Sequence, residues 1–365
     1  MVDSRLVLVE GLPSTGKTTN ARFINIQLER SCIDARWIHE VALPHPALFF
    51  DEAGLTYGEY AKLKEKHPET AGFLDSKAEF RANTVGINPT ELKWEFSNKI
   101  NGNIYGALSE YDVWKFPPDK YIKFALDKWA RFTETALKKR DEVQIADSAF
   151  FQYQIFKFLL SGSPVQMLQD FVGRLFEIVR PLNPRLIYLY RENTEATIDF
   201  LENDRGTQFL EKIWERDKEQ PYYAKKPPGA EGFKRFLRDY ARFAKILFDD
   251  FGAKKIAIDI TGRNWVCIED EMLSFLGVGR APDPVFMPLD GVYANEDLGL
   301  SIKVEGLAFT DSNGQARKLI PKSPDEFYVD LLPAVLRFEN GGIIILGSQI
   351  CERWTKTGTI YQKAR

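Results

Sequence analysis

Apolar residues fall into two kinds of run along this chain, and the alternation between them predicts its elements. Nearly continuous apolar runs of strand length occupy 6–9, 33–39, 142–147, 185–190 and 255–260. Between them lie stretches in which apolar residues recur every three or four positions, the period of an amphipathic helix. Helices are predicted over 20–28, 119–137 and 265–276, and over 194–220 with a break at Gly206. In 119–137 the residues Ile122, Ala125, Leu126, Trp129, Ala136 and Leu137 keep to one face, and Pro117, Pro118 and Asp119 mark the start. Phe233, Phe236, Leu237, Tyr240, Ala244 and Leu247 trace another helix, for which Gly252 is the expected C-cap.

Two stretches depart from that alternation. Residues 42 to about 140 show no regular succession of strand and helix, which predicts a large helical insertion rich in aromatics. Beyond the Gly- and Pro-rich segment 277–284, short runs alternate with period two, as in 300–304 and 334–338, separated by Ser312-Asn313-Gly314 and Asn340-Gly341-Gly342. That pattern predicts a small antiparallel barrel or sandwich. The expected fold class is α/β, a parallel sheet of about five strands with the helical insertion, in a domain 1–280 followed by a small β-barrel domain 285–365. No repeat of 20–50 residues and no low-complexity tract interrupts this plan.

The chemistry is concentrated just after the first strand, in Gly11-Leu12-Pro13-Ser14-Thr15-Gly16-Lys17-Thr18-Thr19. Gly-x-x-x-x-Gly-Lys-Thr between a strand and a helix is the phosphate-binding loop pattern. Its glycines let backbone N–H groups approach phosphate oxygens, and the helix that follows points its positive end at the same anion. Lys17 supplies a charge between the terminal phosphates, and the Thr18 hydroxyl is a ligand for Mg2+. ATP and Mg2+ are therefore the expected cofactors, with Gly11, Pro13, Ser14, Thr15, Gly16, Lys17, Thr18 and Thr19 around the phosphates.

Composition narrows the partners. Forty-nine basic residues against fifty-two acidic ones leave a net charge of −3, with no run of like charge, so neither duplex nucleic acid nor anionic lipid is an expected partner. Cys32, Cys267 and Cys351 are an odd number, widely spaced, and read as reduced structural residues of a cytoplasmic protein. No apolar run approaches a membrane span, and neither a secretory signal nor a transmembrane helix is expected. His39 and His45 flank the expected active edge without a third ligand at metal spacing, and read as a strand terminus and a loop residue.

The order of strands, phosphate loop and insertion resembles the thymidylate-kinase and deoxynucleoside-kinase branch of P-loop kinases over roughly residues 5–276. That resemblance implies an acidic residue beside the phosphoryl acceptor at the end of the second strand, where Glu40 stands. It implies an acidic residue followed by arginine after the third strand, where this chain reads Asp147-Ser148; the departure removes the group that would bind an acceptor phosphate. It also implies an arginine-bearing lid, matched by Arg205 in Glu202-Asn203-Asp204-Arg205-Gly206, with Arg216 a second candidate. Physical chemistry gives the carboxylates separate roles: Glu40 as general base toward an acceptor hydroxyl, and Asp147 as a ligand for Mg2+. Their bland alternatives are a solvated loop residue and a helix N-cap. A charged segment such as the one around Arg205 is often only a solvated face.

The insertion aromatics Phe49, Phe50, Trp94, Tyr105 and Trp114 are expected mostly in the core, with one or two stacking on a base or sugar ring. The C-terminal part resembles, more loosely, the small β-barrel appended to some serine β-lactamase-like and uncharacterised bacterial proteins, through Leu289-Asp290-Gly291-Val292-Tyr293, Leu319-Ile320-Pro321, Glu326-Phe327-Tyr328 and Leu336-Arg337-Phe338. It carries no catalytic residue in that resemblance and leaves three roles open: covering the acceptor, forming a homo-oligomer interface, or protecting an apolar face. The expected activity is transfer of the γ-phosphoryl group of ATP to a hydroxyl of a small molecule that is nucleoside-, sugar- or antibiotic-like. The alternatives are an NTPase or nucleotide-binding regulator engaging a protein and, with no basic groove to support it, a polynucleotide end kinase.

Overall fold

Five of the predicted strands form a single sheet in the computed structural model, which describes residues 3–364 apart from 101, 140, 263, 287–288, 348–349 and 351–352. They are β1 (Leu6–Gly11), β2 (Ala35–Ile38), β3 (Val143–Asp147), β4 (Arg185–Tyr190) and β5 (Lys255–Asp259), in the spatial order β2-β3-β1-β4-β5. Every pairing is parallel, and the register sets Val9 of β1 beside Asp147 on one side and Ile187 on the other. Successive side chains on a strand point to opposite faces, so β1 feeds two cores at once. Val7 and Val9 pack with one apolar cluster, Leu6 and Leu8 with the other.

The principal helices are α1 (Lys17–Arg30), α2 (Pro118–Lys138), α3 (Gln152–Leu160), α4 (Val165–Val179), α5 (Thr194–Arg205), α6 (Thr207–Asp217), α7 (Gly229–Asp250) and α8 (Trp265–Leu276). Ala21, Ile24 and Leu28 of α1 and Met272 and Leu276 of α8 cover the Val7 face. The other face is covered by α2, α3, α4 and α7 through an aromatic core that includes Trp129, Phe158, Phe171 and Tyr240. The predicted break at Gly206 separates α5 from α6. Helix α7 instead has Phe251 as its C-cap, one residue before the expected glycine, with the Phe251 N–H bonded to the Phe248 carbonyl.

The insertion contains helices as expected and also a three-stranded antiparallel sheet made by Ala53–Thr56, Glu79–Phe80 and Thr84–Ile87. These strands are four residues or fewer, too short to display a period-two pattern. Ala53, Leu55, Val85 and Ile87 pack into an apolar cluster, whereas buried charge stands against Gly86. Arg81 and Lys128 both bind the buried Glu52 carboxylate, Arg81 at 2.6 Å. Gly86 is required there, because a Cβ at that position would lie 2.5 Å from Glu52 Oε1.

The C-terminal strands β6 (Gly291–Asn295), β7 (Leu300–Glu305), β8 (Ala308–Thr310), β9 (Ala316–Pro321), β10 (Glu326–Val329), β11 (Ala334–Glu339), β12 (Gly342–Gly347) and β13 (Ile360–Lys363) close into an antiparallel barrel. β13 pairs with β6, which leaves no free edge. Alternate residues such as Ile302, Val304, Phe327, Leu336, Phe338, Ile343 and Ile345 fill the interior. One outer face rests on α1: Ile26 shares a buried cluster with Tyr328 and Val335, and the Arg22 guanidinium lies 4.2 Å over the Tyr328 ring and 5.1 Å over Trp37. Tyr328 donates its hydroxyl to Glu29, and Arg30 Nη2 donates to the Pro321 carbonyl at 2.8 Å.

Cys32 and Cys267 are free thiols, exposed at the surface rather than packed as structural residues, and Cys351 lies outside the described residues. No helix among the described residues is long and apolar enough to cross a membrane.

Candidate functional site

In an open parallel sheet, ligands bind at the carboxyl ends of the strands, where connections leave neighbouring strands in opposite directions. β1 is that point here, with β2 and β3 on one side and β4 and β5 on the other. The loop that leaves β1 turns sharply into α1. Gly16 takes a φ of 82°, the left-handed conformation glycine adopts without strain, and no side chain caps the helix behind it. The N–H groups at the start of α1 are thus available to an anion. Thr15 Oγ1 donates to the Leu12 carbonyl at 2.8 Å, which fixes the loop from inside.

Lys17 is only 6% exposed and folds back over this loop, its Nζ donating to the same Leu12 carbonyl at 2.8 Å. Burial pushes its pKa below the ordinary lysine value, against the attraction of Glu40, Asp147 and Glu10, while the Arg205 charge acts in the same direction as burial. Asp147, at the end of β3, is fully buried, and its pKa is pushed up to about 7 by burial first and by the Glu40 charge second. Ser148 Oγ donates to Asp147 Oδ1 at 2.8 Å, and Asp147 Oδ2 has no hydrogen-bond partner among the described residues. Glu40 is half-buried and accepts a hydrogen bond from Gln152 Nε2 at 3.1 Å, so it is held in place rather than freely solvated.

A third carboxylate supports this wall and was not recognisable in the sequence. Glu10, the last residue before the loop motif, is fully buried and accepts from the N–H groups of Phe150 at 2.7 Å, Phe151 at 2.9 Å and Gln152 at 3.1 Å. It therefore caps the N-terminus of α3, the helix that carries Gln152 toward Glu40. Burial dominates its titration and pushes its pKa up to about 7 despite those donors. His39 and His45 play local roles. His39 Nδ1 accepts the Val41 N–H at 3.1 Å, and burial lowers its pKa to about 4, so the ring is neutral. His45 Nδ1 accepts from Ala47 and Leu48 at 3.0 and 2.7 Å.

Of these groups, Lys17, His39, Glu40, Ser148 and Gln152 face a cavity of about 1120 Å3, which Asp147, Glu10 and His45 do not line. Pro13, Ser14, Gly16, Lys17, Thr18, Thr19 and Glu40 line one side of it. Arg205 at the end of α5 and Arg216 in the last turn of α6 line another. Arg205 lies 4.9 Å over the Phe209 ring with its side chain 50% exposed, and Arg216 forms a two-point ion pair with Asp217 at 2.8 and 2.6 Å. Both lid candidates thus meet the same space. Of the insertion aromatics, Phe49, Phe50 and Trp114 line the cavity, joined by Tyr153 and Phe156 of α3. Trp94 does not line it, and Tyr105 packs into the insertion's own core.

Neither the models of known protein families nor the curated proteins include a match to this chain. The site therefore has to be read from its own residues. Two that sequence reasoning passed over complete it. Arg191 directly follows β4 and lies 4.1 Å over the Phe200 ring, and the indole of Trp265, at the start of α8, comes within 3.2 Å of where a Cβ on Gly16 would stand. The signal for Arg191 was its place at a strand's carboxyl end, the same rule that singles out Glu40.

Among the described residues no group of three or more His, Cys, Asp or Glu side chains is placed to hold a metal by itself. A magnesium site of the nucleotide type does not need one, since Mg2+ keeps several waters and takes one or two carboxylates plus phosphate oxygens. The unpartnered Asp147 Oδ2 and the neighbouring Thr18 hydroxyl are hard oxygen donors of the right chemistry.

Proposed function

We propose that this protein is an ATP-dependent small-molecule kinase of the branch that its phosphate loop, strand order and insertion resemble. The observation that carries the reading is the meeting of Lys17 and Glu40 with Arg205 and Arg216 in one cavity, with the buried Asp147 near enough to act on the Lys17 charge. A cleft for one small ligand usually encloses about 300–1000 Å3. The 1120 Å3 here suits a nucleotide and a second molecule together.

In this reading the loop N–H groups and Lys17 bind the β- and γ-phosphates, with the ammonium exchanging the Leu12 carbonyl for phosphate oxygens. Thr18 and Asp147 would hold Mg2+, which when bound would supply positive charge against the phosphate oxygens. Glu40 accepts the proton of the acceptor hydroxyl while that oxygen forms its bond to phosphorus and the bond to the ADP oxygen breaks. Arg205 meets the negative charge on the equatorial oxygens of the transferring group. Trp265 beside Gly16, and the Arg191–Phe200 stack, offer flat surfaces to a nucleobase. Ser148, bonded to Asp147, stands where an arginine for an acceptor phosphate would be, which favours an uncharged hydroxyl acceptor.

The second reading, a nucleotide-binding regulator or NTPase, uses the same loop and carboxylates with water in place of the acceptor. Purified protein with γ-labelled ATP or GTP and a panel of nucleosides, sugars and aminoglycosides separates the two. Label on an organic acceptor supports the kinase; label only in inorganic phosphate supports the NTPase and ends the kinase reading.

A further inference from the structure

We infer that the C-terminal barrel forms the apolar wall of the acceptor compartment, through Leu331 and Leu332, and that the acceptor presents an apolar face there. The inference rests on the kinase reading and extends it to the acceptor's class.

Three observations carry it. Leu331 and Leu332, in the turn between β10 and β11, line the same cavity as Lys17 and Glu40, although more than three hundred residues separate them from the phosphate loop. Leu332 is rooted in the barrel core, whereas Leu331 is 38% exposed, a large apolar side chain left open where the cavity begins. The barrel also reaches the residue next to Glu40. Val41, the next residue in the chain, packs against the barrel core, and its N–H is tied to His39. The candidate base is thus held between a buried histidine and a barrel-anchored valine.

Sheet order assigns this wall to the acceptor rather than to the nucleotide base. Glu40 follows β2 at one edge of the sheet, while Arg191 and Trp265 follow β4 and β5 toward the other. A leucine wall rewards apolar contact and itself offers no hydrogen bond, so the hydroxyl groups of an acceptor are left to Asp51, Asp112 and Gln152 elsewhere in the lining. Phe50, Trp114 and Tyr153 add aromatic surface to the same cavity. The geometry therefore points to a hydroxyl compound with an aromatic or apolar body, in preference to a simple sugar.

The test uses the full chain. Wild type, Leu331→Glu, Leu331→Ala and, as a control on the far barrel surface, Val292→Glu are assayed with labelled ATP against thymidine, glucose and kanamycin, and ATP affinity is measured by calorimetry. Expected are faster transfer to thymidine than to glucose, an acceptor KM raised at least tenfold by Leu331→Glu and about threefold by Leu331→Ala, ATP affinity within twofold in both, and no change in Val292→Glu. Circular dichroism checks folding, and the alanine variant carries the test if the glutamate variant does not fold. An unchanged acceptor KM in a folded Leu331 variant, a loss of ATP affinity in its place, or a preference for glucose overturns the proposal and leaves the kinase reading standing. Wild type that labels no acceptor overturns both.

Discussion

Around the phosphate loop the charged groups Lys17, Asp147 and Glu10 are buried and hydrogen-bonded, whereas across the site two cavity-lining arginines stand half exposed at helix ends. Lys17, Asp147 and Glu10 are held by the Leu12 carbonyl, the Ser148 hydroxyl and the amides that open α3. The Arg205 and Arg216 side chains are 50% and 57% exposed, and their ion-pair partners are their own sequence neighbours, Asp204 and Asp217. The buried wall has its field in place before a ligand arrives, which is what electrostatic preorganisation requires. The exposed wall acquires its full strength only when closure removes water from around it. A nucleotide should therefore bind mainly through the first wall and react through both.

The largest expected effect breaks the buried wall. Lys17→Ala removes the cation that faces three carboxylates and should lower transfer by about 10^3-fold or more, the scale on which a charge on the transferring phosphoryl group acts. Circular dichroism should stay native, because β1 and α1 keep their apolar contacts. Near-native turnover would locate the chemistry elsewhere. Next in size is Arg205→Ala, which should lower kcat by about 10^2- to 10^3-fold while ATP affinity changes about threefold or less. An equal loss in both would make Arg205 a binding group and erase the distinction between the walls; an unchanged kcat would shift the role to Arg216.

The carboxylates sharpen the comparison within the buried wall. Glu40→Gln should depress kcat by about 10^2-fold and spare ATP binding, since a general base acts on the acceptor's proton. Asp147→Asn should raise the Mg2+ requirement instead. Asp147 must be ionised to hold a cation, and its pKa in the free protein is raised to about 7. The wild-type kcat/KM for the magnesium nucleotide should therefore climb with pH up to about 7 and level above it, and this limb should vanish in Asp147→Asn. Stability runs the other way. A carboxyl whose pKa is raised on folding contributes its full stability below the ordinary carboxylate range near pH 4. The contribution of Asp147 and Glu10 is lost as pH rises through about 7. Thermal melts of Asp147→Asn should accordingly fall less than wild type between pH 5 and about 8. A pH-independent wild-type rate across that window would assign Asp147 a structural role.

What could be read from sequence follows how local each feature is. The loop from Gly11 to Thr18 is one strand–turn–helix unit whose chemistry lies in its own backbone, and the break after Arg205 is a single glycine, so both are legible. Glu10 is the opposite case: its role exists only because β1 and the start of α3, about 140 residues later, meet in space. The insertion's sheet escaped because its strands are short and Gly54 pairs directly with Gly86, leaving no side-chain alternation at their centre. Leu331 reads as an ordinary turn residue until the closed barrel brings it to the cavity.

The smallest expected effect tests whether the barrel's seat on α1 and its wall on the cavity are separable. Tyr328→Phe keeps the ring beneath the Arg22 guanidinium and the apolar contact with Ile26, and removes only the hydroxyl that donates to Glu29. A partly buried hydrogen bond to a carboxylate contributes about 1–2 kcal/mol net. For a chain of this size that corresponds to a fall in Tm of roughly 2–4 °C. Because Leu332 and Val41 keep their own anchors in the barrel core, the acceptor KM should move by less than about twofold. A fall in Tm with an unchanged KM would separate docking from recognition. A KM shift as large as that of Leu331→Glu would mean instead that the whole barrel tilts on α1, and that the seat itself sets the shape of the acceptor compartment.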